Sequence, residues 1–442
     1  MLVKAHCNGV PELAAGMKAL PDCRSSFAHT QALWRFLHNE KVTPEKLGAP
    51  LIAEARDAVS ASCDRYVLIA HDWSRLNYNT HSTKADRLRM THDTDVGYEL
   101  QSSLAIGDRN GDPLAPVAQN LVTAKTTPPA VASSETGVDD EKEAKGKTTL
   151  SSYHSNNVDT VPHLDELTER IGWLEKSCLG KPLLHMVDRE GDSVDHLRQW
   201  TAGGHRWLVR ARGYSNVRVP EGNQRLDDLA KSLAYHLARE VEHKGQPCRQ
   251  WIAETPVVLA RRAKPKRMDA NGKRVPPKRG EPIGARLVVS RIEDMNGLEV
   301  ASWYLLTNLE DEVDAATVAL WYYFRWRIEC FFKLLKQAGQ QLEQWEQESG
   351  PAIFKRLLIA SQACVLTWRI MREKGEFAEQ ARQFLVRLSG RQTKRIRPVT
   401  APSVLSGLHM LFAMLEVLEY HSIEELRDIA RFAFPGTEAR RI

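Results

Sequence analysis

Three carboxylates lie where the local sequence could aim them at one point: Asp72, Asp188 and Glu329. Asp72 closes the apolar run YVLIAHD, and Asp188 closes KPLLHMVD. A short apolar run ended by an acid suits a buried strand. Glu329 lies on a long helix expected to begin at Asp314, where Tyr322, Arg325, Glu329, Lys333 and Lys336 are spaced 3, 4, 4 and 3 and so share one face. The remainder of that helix is mostly apolar: Leu320, Trp321, Phe324, Ile328, Phe331, Phe332 and Leu335. A polar stripe on an apolar body reverses the pattern of a surface helix. As a solvated face, the stripe is a row of ordinary salt bridges of small worth. Taken with the two strand-end acids, it is a carboxylate among cations that faces a phosphate backbone and a metal.

The chemistry explains that combination. In-line cleavage of a phosphodiester needs both the attacking and the leaving oxygen stabilised, which two metal ions about 3.5–4 Å apart achieve. Hard ions such as Mg²⁺ or Mn²⁺ prefer carboxylate oxygens. A third acid lets one carboxylate bridge the pair.

The elements that must position these acids can be read along the chain. Residues 1–65 read as helical, with Thr43 as an N-cap and Pro44 at the first helical position. After the Asp72 strand, 97–106 and 115–124 flank the turn cluster DRNGDP and predict a hairpin. Residues 125–160 read as an exposed loop. A helix over 163–179, the Asp188 strand, a further helix and the strand HRWLVRAR complete a mixed α/β core. Three more strand-like runs occupy 251–260, 283–292 and 298–307. Between the first two, residues 261–279 hold nine Lys/Arg against one acid, Asp269. Helices follow to the end, the last opened by a Ser422–Glu425 capping box.

Composition sets the frame. The chain has 442 residues, 42% hydrophobic and 26% charged, with net charge +5 and mean hydropathy −0.41. No stretch approaches the roughly 20 apolar residues of a membrane span, so no membrane partner is expected. The opening residues lack a signal-peptide core, which predicts a cytoplasmic protein. Seven cysteines without a CxxC pair argue against a disulfide framework or a zinc knuckle. The net charge alone says little of an anionic partner; the basic run says more.

The residues resemble a known family. YYFRWRIECFFKLLK resembles the Tyr-x2-Arg-x3-Glu-x6-Lys signature of bacterial insertion-sequence transposases of the insertion-sequence-four family, with Tyr322, Arg325, Glu329 and Lys336 at the matching positions. HMVDREGD resembles the family's second-acid motif and IAHDWSRLNY its first. SWYLLTN around Trp303 resembles the strand upstream of the signature helix, and TQALWRFLHNEKVTPEKL resembles the N-terminal helical domain.

That resemblance implies an α/β, ribonuclease-H-like mixed sheet core interrupted by a β-rich insertion, with helical N- and C-terminal regions. The expected organisation is a helical DNA-binding domain at 1–65, core at 66–212 and 306–375, basic insertion at 213–305, and a helical region at 376–442 able to dimerise. It implies two Mg²⁺ ions, replaceable by Mn²⁺, held by Asp72, Asp188 and Glu329. It implies cleavage at transposon ends through a hairpin and strand transfer into target DNA. Trp303 matches the base-holding tryptophan, and Tyr322, Arg325 and Lys336 match phosphate contacts. Lys333 shares their face, and Arg210 ends its own strand nearby in sequence logic. Arg261, Arg262, Lys264, Lys266, Arg267, Lys273 and Arg274 of the basic run would neutralise DNA phosphates. A second, weaker basic patch is RQTKRIRP. The partners expected are double-stranded DNA, as terminal inverted repeats and target, and a second copy of the chain, at the bacterial nucleoid. Two other readings stay open: a ribonuclease-H-like nuclease that cuts without joining, and a truncated, non-catalytic relative that binds transposon ends or poisons dimers. The short N-terminal region favours the second.

Overall fold

The computed structural model describes residues 26–90, 92, 94–125, 146–154, 158–159, 161–263, 273, 275–336, 339–390 and 399–433. Its elements begin with α1 (Ser26–His38), α2 (Pro44–Ser62), β1 (Val67–Asn77), β2 (Leu88–Arg89), β3 (Val96–Gly107), β4 (Pro113–Ala124), β5 (Lys147–Ser151) and β6 (Val158–Asp159). Then come α3 (His163–Lys176), β7 (Leu183–Val187), α4 (Val194–Ala202), β8 (Arg206–Ala211), β9 (Asn216–Val219), β10 (Gly222–Arg225) and α5 (Leu226–Ser232). The strands β11 (His236–His243), β12 (Gln246–Leu259), β13 (Ile283–Asp294) and β14 (Glu299–Thr307) precede α6 (Ala315–Phe324) and α7 (Arg327–Leu335). The chain closes with α8 (Gly350–Arg372), α9 (Glu376–Leu388), α10 (Ala401–Leu418) and α11 (Ile423–Ala433).

Two compact units divide the chain. One is Pro44–Arg75 with Gly97–Phe331; the other is Met1–Thr43, Leu76–Val96 and Phe332–Ile442. The first is α/β. Its mixed sheet runs β10-β9-β12-β13-β14-β8-β7-β1-β3-β4-β5-β6. The three central strands β1, β7 and β8 are parallel, and antiparallel pairs extend the sheet on both sides. Parallel strands are covered on both faces, which is why VLIA and LLHMV read as continuous apolar runs. One face carries α3, α4 and α5, whose Leu167, Ile171, Leu197, Trp200 and Leu226 pack on Val187, Trp207, Val209 and Leu306. The helix α6 lies against β12 and β13. Because Leu306 belongs to the first face, strand alternation turns Trp303 and Leu305 to the other, and Trp303 there meets Tyr322 of α6.

The hairpin at DRNGDP forms as expected, and its turn does more than connect strands. Asp108 accepts hydrogen bonds from the backbone N–H groups of Asp64, Arg65 and Tyr66, which pins the approach to β1. Its carbonyl accepts from the Trp321 indole on α6. Gly111, at φ +69°, faces the Phe324 ring so closely that a Cβ would stand 2.4 Å from it. One turn thus registers both the first acid's strand and the signature helix.

Several expectations are corrected. The strand holding Asp72 does not end there; it runs to Asn77, because Trp73 continues the alternation by packing with the opposite face. The loop over 125–160 contains β5 and β6 among its described residues. The strands between 213 and 305 continue the same sheet, since β14 pairs with β8 and joins them to the parallel strands. The sequence reading also missed β9, β10, α5 and β11. These elements are short or half-exposed, and their polar alternation resembles a loop.

The second unit is mainly helical. Leu33 and Leu37 of α1 pack with Ala352 of α8. Leu385 of α9 packs with Val404 and Leu408 of α10, and Gly407 lets those helices approach backbone to backbone. The Ser422–Glu425 capping box forms in both directions and starts α11. Against the expectation of no span-like segment, α10 is long and apolar enough to cross a membrane by length and composition, with a mean hydropathy of 1.5. Only part of that surface is covered by α9.

Candidate active site

The site is built by strand register. In the parallel pair β1–β7, Ala70 is level with Met186, and Asp72 and Asp188 each follow two residues on, Asp188 just past the end of its strand. In β7–β8, Val187 is level with Val209; one residue on, Asp188 is level with Arg210. Level residues of adjacent parallel strands lie about 4.8 Å apart and point to one face. The two acids and Arg210 therefore form a row across three strands, on the face that carries Trp303.

The signature helix reaches this row. Arg325 donates from Nη1 to Asp72 Oδ2 at 3.0 Å, with both side chains 13% exposed. Burial pulls the Arg325 guanidinium down, while Tyr322 and Asp72 push it up, and the net shift is upward. Tyr322 is buried and is held above its ordinary value chiefly by burial, with the Arg325 charge opposing. Its ring meets Trp303 edge to face, with centroids 5.9 Å apart. Burial, aided by Arg189 and Arg325, holds Arg210 below its ordinary value against Tyr322 and Asp188. A desolvated guanidinium beside other cations is poised to take up an anion.

The helix is not continuous, contrary to expectation. It breaks at Arg325 and Trp326, where four bonds tighten to three-residue spacing: Arg325 to Tyr322, Trp326 to Tyr323, Ile328 to Arg325 and Glu329 to Trp326, each 3.1 Å. The five-residue stripe is accordingly not one uniform face. Tyr322 is buried, Arg325 and Glu329 are half-buried, Lys333 is exposed and Lys336 lies beyond the end of α7. Lys336 pairs with Glu343 at 3.5 Å.

Asp72 and Asp188 supply carboxylate oxygens, the donor class a hard divalent ion prefers. Asp72 gives Oδ2 to Arg325 and Oδ1 to the Trp73 N–H, while Asp188 gives Oδ1 to the Glu190 N–H. Among the described residues no three His, Cys, Asp or Glu side chains stand together as a ligand set, so Glu329 is not gathered with the other two acids.

The basic run divides. Arg261 does not face outward; it pairs with Asp192, whose side chain is buried. Arg262 and Lys273 are exposed. Lys264, Lys266, Arg267 and Arg274, and the patch RQTKRIRP, lie outside the described residues.

Sequence reasoning missed two residues beside the site. Asp192 also accepts from the Arg212 N–H and the Ser215 hydroxyl, tying the turn after Asp188 to the loop after β8. The only sequence signal was its place in DREGD. His163 stacks on Trp73 with centroids 5.0 Å apart and bridges Glu99 at 2.8 Å and Glu190 at 3.1 Å. It thereby links the neighbours of both acids.

Fold and row together define an α/β protein with acids and arginines gathered at the carboxyl ends of parallel strands, where such sheets bind ligands. The transposase DDE domain model matches residues 148–368, half of the chain, and the chain belongs to that family of transposases. The match includes Asp188, Arg210, Trp303 and the signature helix but not Asp72, which is joined to them by the β1–β7 register. No curated protein matches the sequence. A cryo-EM structure of a piggyBac transposase synaptic complex with hairpin DNA aligns with 85% of this chain at 9% identity and a TM-score of 0.32. The chain spans 58% of the length of that protein.

Proposed function

We propose that this chain is a cut-and-paste transposase of the insertion-sequence-four type, with a ribonuclease-H-like core, that cleaves DNA at transposon ends through a hairpin and joins the freed ends to target DNA. The observation that carries this reading is the row Asp72–Asp188–Arg210, met at 3.0 Å by Arg325 of the signature helix. The order β4-β3-β1-β7-β8, with β3 and β4 antiparallel and β7 and β8 parallel to β1, supports the core assignment.

Asp72 and Asp188 would hold divalent metal, with Glu329 joining them from α7. Two Mg²⁺ ions, or Mn²⁺, would stabilise charge on the attacking and leaving oxygens. The protein's own residues do the rest. Arg210 and Arg325, both desolvated, bind the scissile phosphate. The buried Tyr322 lies in the field of Arg325 and lines the same site. Lys333 and Lys336 contact flanking phosphates, Lys336 on release from Glu343. Trp303 holds a displaced base. The exposed Arg262 and Lys273, with Lys264, Lys266, Arg267 and Arg274, neutralise the DNA backbone. Paired cleavage of two ends calls for two copies of the chain.

The test is incubation with Mg²⁺ and a duplex carrying the inverted repeat that flanks the gene, beside a Glu329→Gln variant, with products resolved on a denaturing gel. A hairpin product from the wild type alone is expected. Nicks without hairpins or joined products would leave a simple nuclease; retained binding without cleavage would leave an end-binding relative.

A further inference from the structure

A cleft of about 640 Å³ opens beside the acid row. Arg189, Arg210, Arg212 and Tyr214 line it, together with the carboxylates Asp188 and Glu190. Its size is that of a site for a small molecule or a single nucleotide. Ser302 and Tyr304 occupy one face of β14, and Trp303 between them points to the other face, against Tyr322.

The loop that carries Tyr214 is built rather than loose. The Arg212 N–H is fixed by Asp192 at 3.0 Å, and Ser215 is fixed by the same buried carboxylate. The Ser215 N–H bonds back to the Arg212 carbonyl at 2.8 Å, and the Gly213 and Ser215 carbonyls accept from Asp227 and Leu226. Between these anchors the Tyr214 ring is 62% exposed. A rigid loop that holds a large aromatic ring in water, with three arginines lining the same cleft, has the two parts of a nucleotide site: a flat surface for a base and cations for its phosphate. Paired DNA hides its base faces by stacking, so only an unpaired base can use such a ring.

We infer that this cleft binds one unpaired deoxynucleotide of the strand whose phosphate lies at Asp188, with its base stacked on Tyr214 and its phosphate between Arg189 and Arg212. The inference rests on the transposase reading but adds a subsite to it. Asp192 is then a positioning residue, because it sets the loop on the turn that follows Asp188.

The experiment uses the full chain in Ca²⁺ and a duplex of arbitrary sequence with a single-stranded thymidine extension, one base of which, at the junction, is 5-iododeoxyuridine. Irradiation should crosslink that base to Tyr214, as mapped by mass spectrometry. Tyr214→Ala should bind the extended duplex roughly tenfold more weakly and a blunt duplex as well as the wild type does, whereas Tyr214→Phe should keep both affinities. Asp192→Asn should lower the crosslink yield at Tyr214. Crosslinks that map elsewhere, or equal weakening on blunt and extended DNA, would overturn the assignment. If the wild type forms hairpins on transposon ends yet gives no Tyr214 crosslink, the subsite falls and the transposase reading stands. A Tyr214 crosslink without cleavage or joining supports the subsite and removes the transposase.

Discussion

Arg325 shows how much one side chain can be asked to do. It pairs with Asp72 and lies in the fields of Tyr322 and Asp188. Removing one member of a largely buried pair leaves the other uncompensated, a loss of about 3 kcal/mol when burial is complete. Arg325→Met should therefore lower unfolding free energy, by somewhat less than that, and abolish DNA cleavage. Chemical denaturation and the gel assay read the two effects, and unchanged stability would mean that the pair is not formed. His163 offers a second test. Burial lowers its pKa, but the bonds to Glu190 and Glu99 more than reverse this and raise it from 6.5 to about 9. A raised folded pKa contributes stability that is complete below 6.5 and lost as pH rises through 9. His71 and His185 act in the opposite sense. Both are buried, hydrogen-bonded to each other at 2.9 Å, and depressed mainly by burial. Their contribution is complete above 6.5 and falls as the medium is acidified. Melting temperature against pH should therefore peak near 6.5 and fall on both sides, and His163→Gln should flatten the alkaline side alone. The partial exposure of His163 keeps that effect modest.

At the level of elements, the placing of α6 depends on Gly111. Its positive φ disfavours any side chain, and its Cβ position is taken by the Phe324 ring. Arg327 also bonds its carbonyl at 2.8 Å. Gly111→Ala should destabilise the protein by roughly 1–3 kcal/mol and reduce cleavage more than DNA binding, since Arg325 would lose its place before the basic run does. Equal loss of both would argue against a seating role. The same elements show what sequence can reveal. The strands of Asp72 and Asp188 were legible because burial on both faces forces an apolar run and leaves the acid as its punctuation. Their level placement was not, because register is fixed by long-range pairing. The break at Arg325 was invisible, as apolar spacing continues unbroken through it. Arg261 read as a DNA contact because its partner Asp192 lies far away in sequence and close only in the fold. β11 was missed because its residues are largely half-exposed.

For the molecule as a whole, the question is what covers its C-terminal helices. On α10, Met410, Met414, Leu415 and Leu418 are exposed at spacings of 4, 1 and 3, which places them along one side. Phe377 of α9 and Phe432 of α11 are 84% and 88% exposed. Apolar groups in that density on helices mark an interaction surface more often than idle surface. The proposed reaction supplies an occupant, because two transposon ends must be cut and joined together. Replacement of Met414 and Leu418 by lysine should leave each chain folded, since both residues are exposed at the surface, at 47% and 43%. It should shift the DNA complex from two copies to one in sedimentation measurements. Single-end nicking should then survive while paired-end joining is lost. A complex that keeps two copies would place the dimer contact elsewhere; loss of nicking together with joining would show that these helices serve the site itself rather than its pairing.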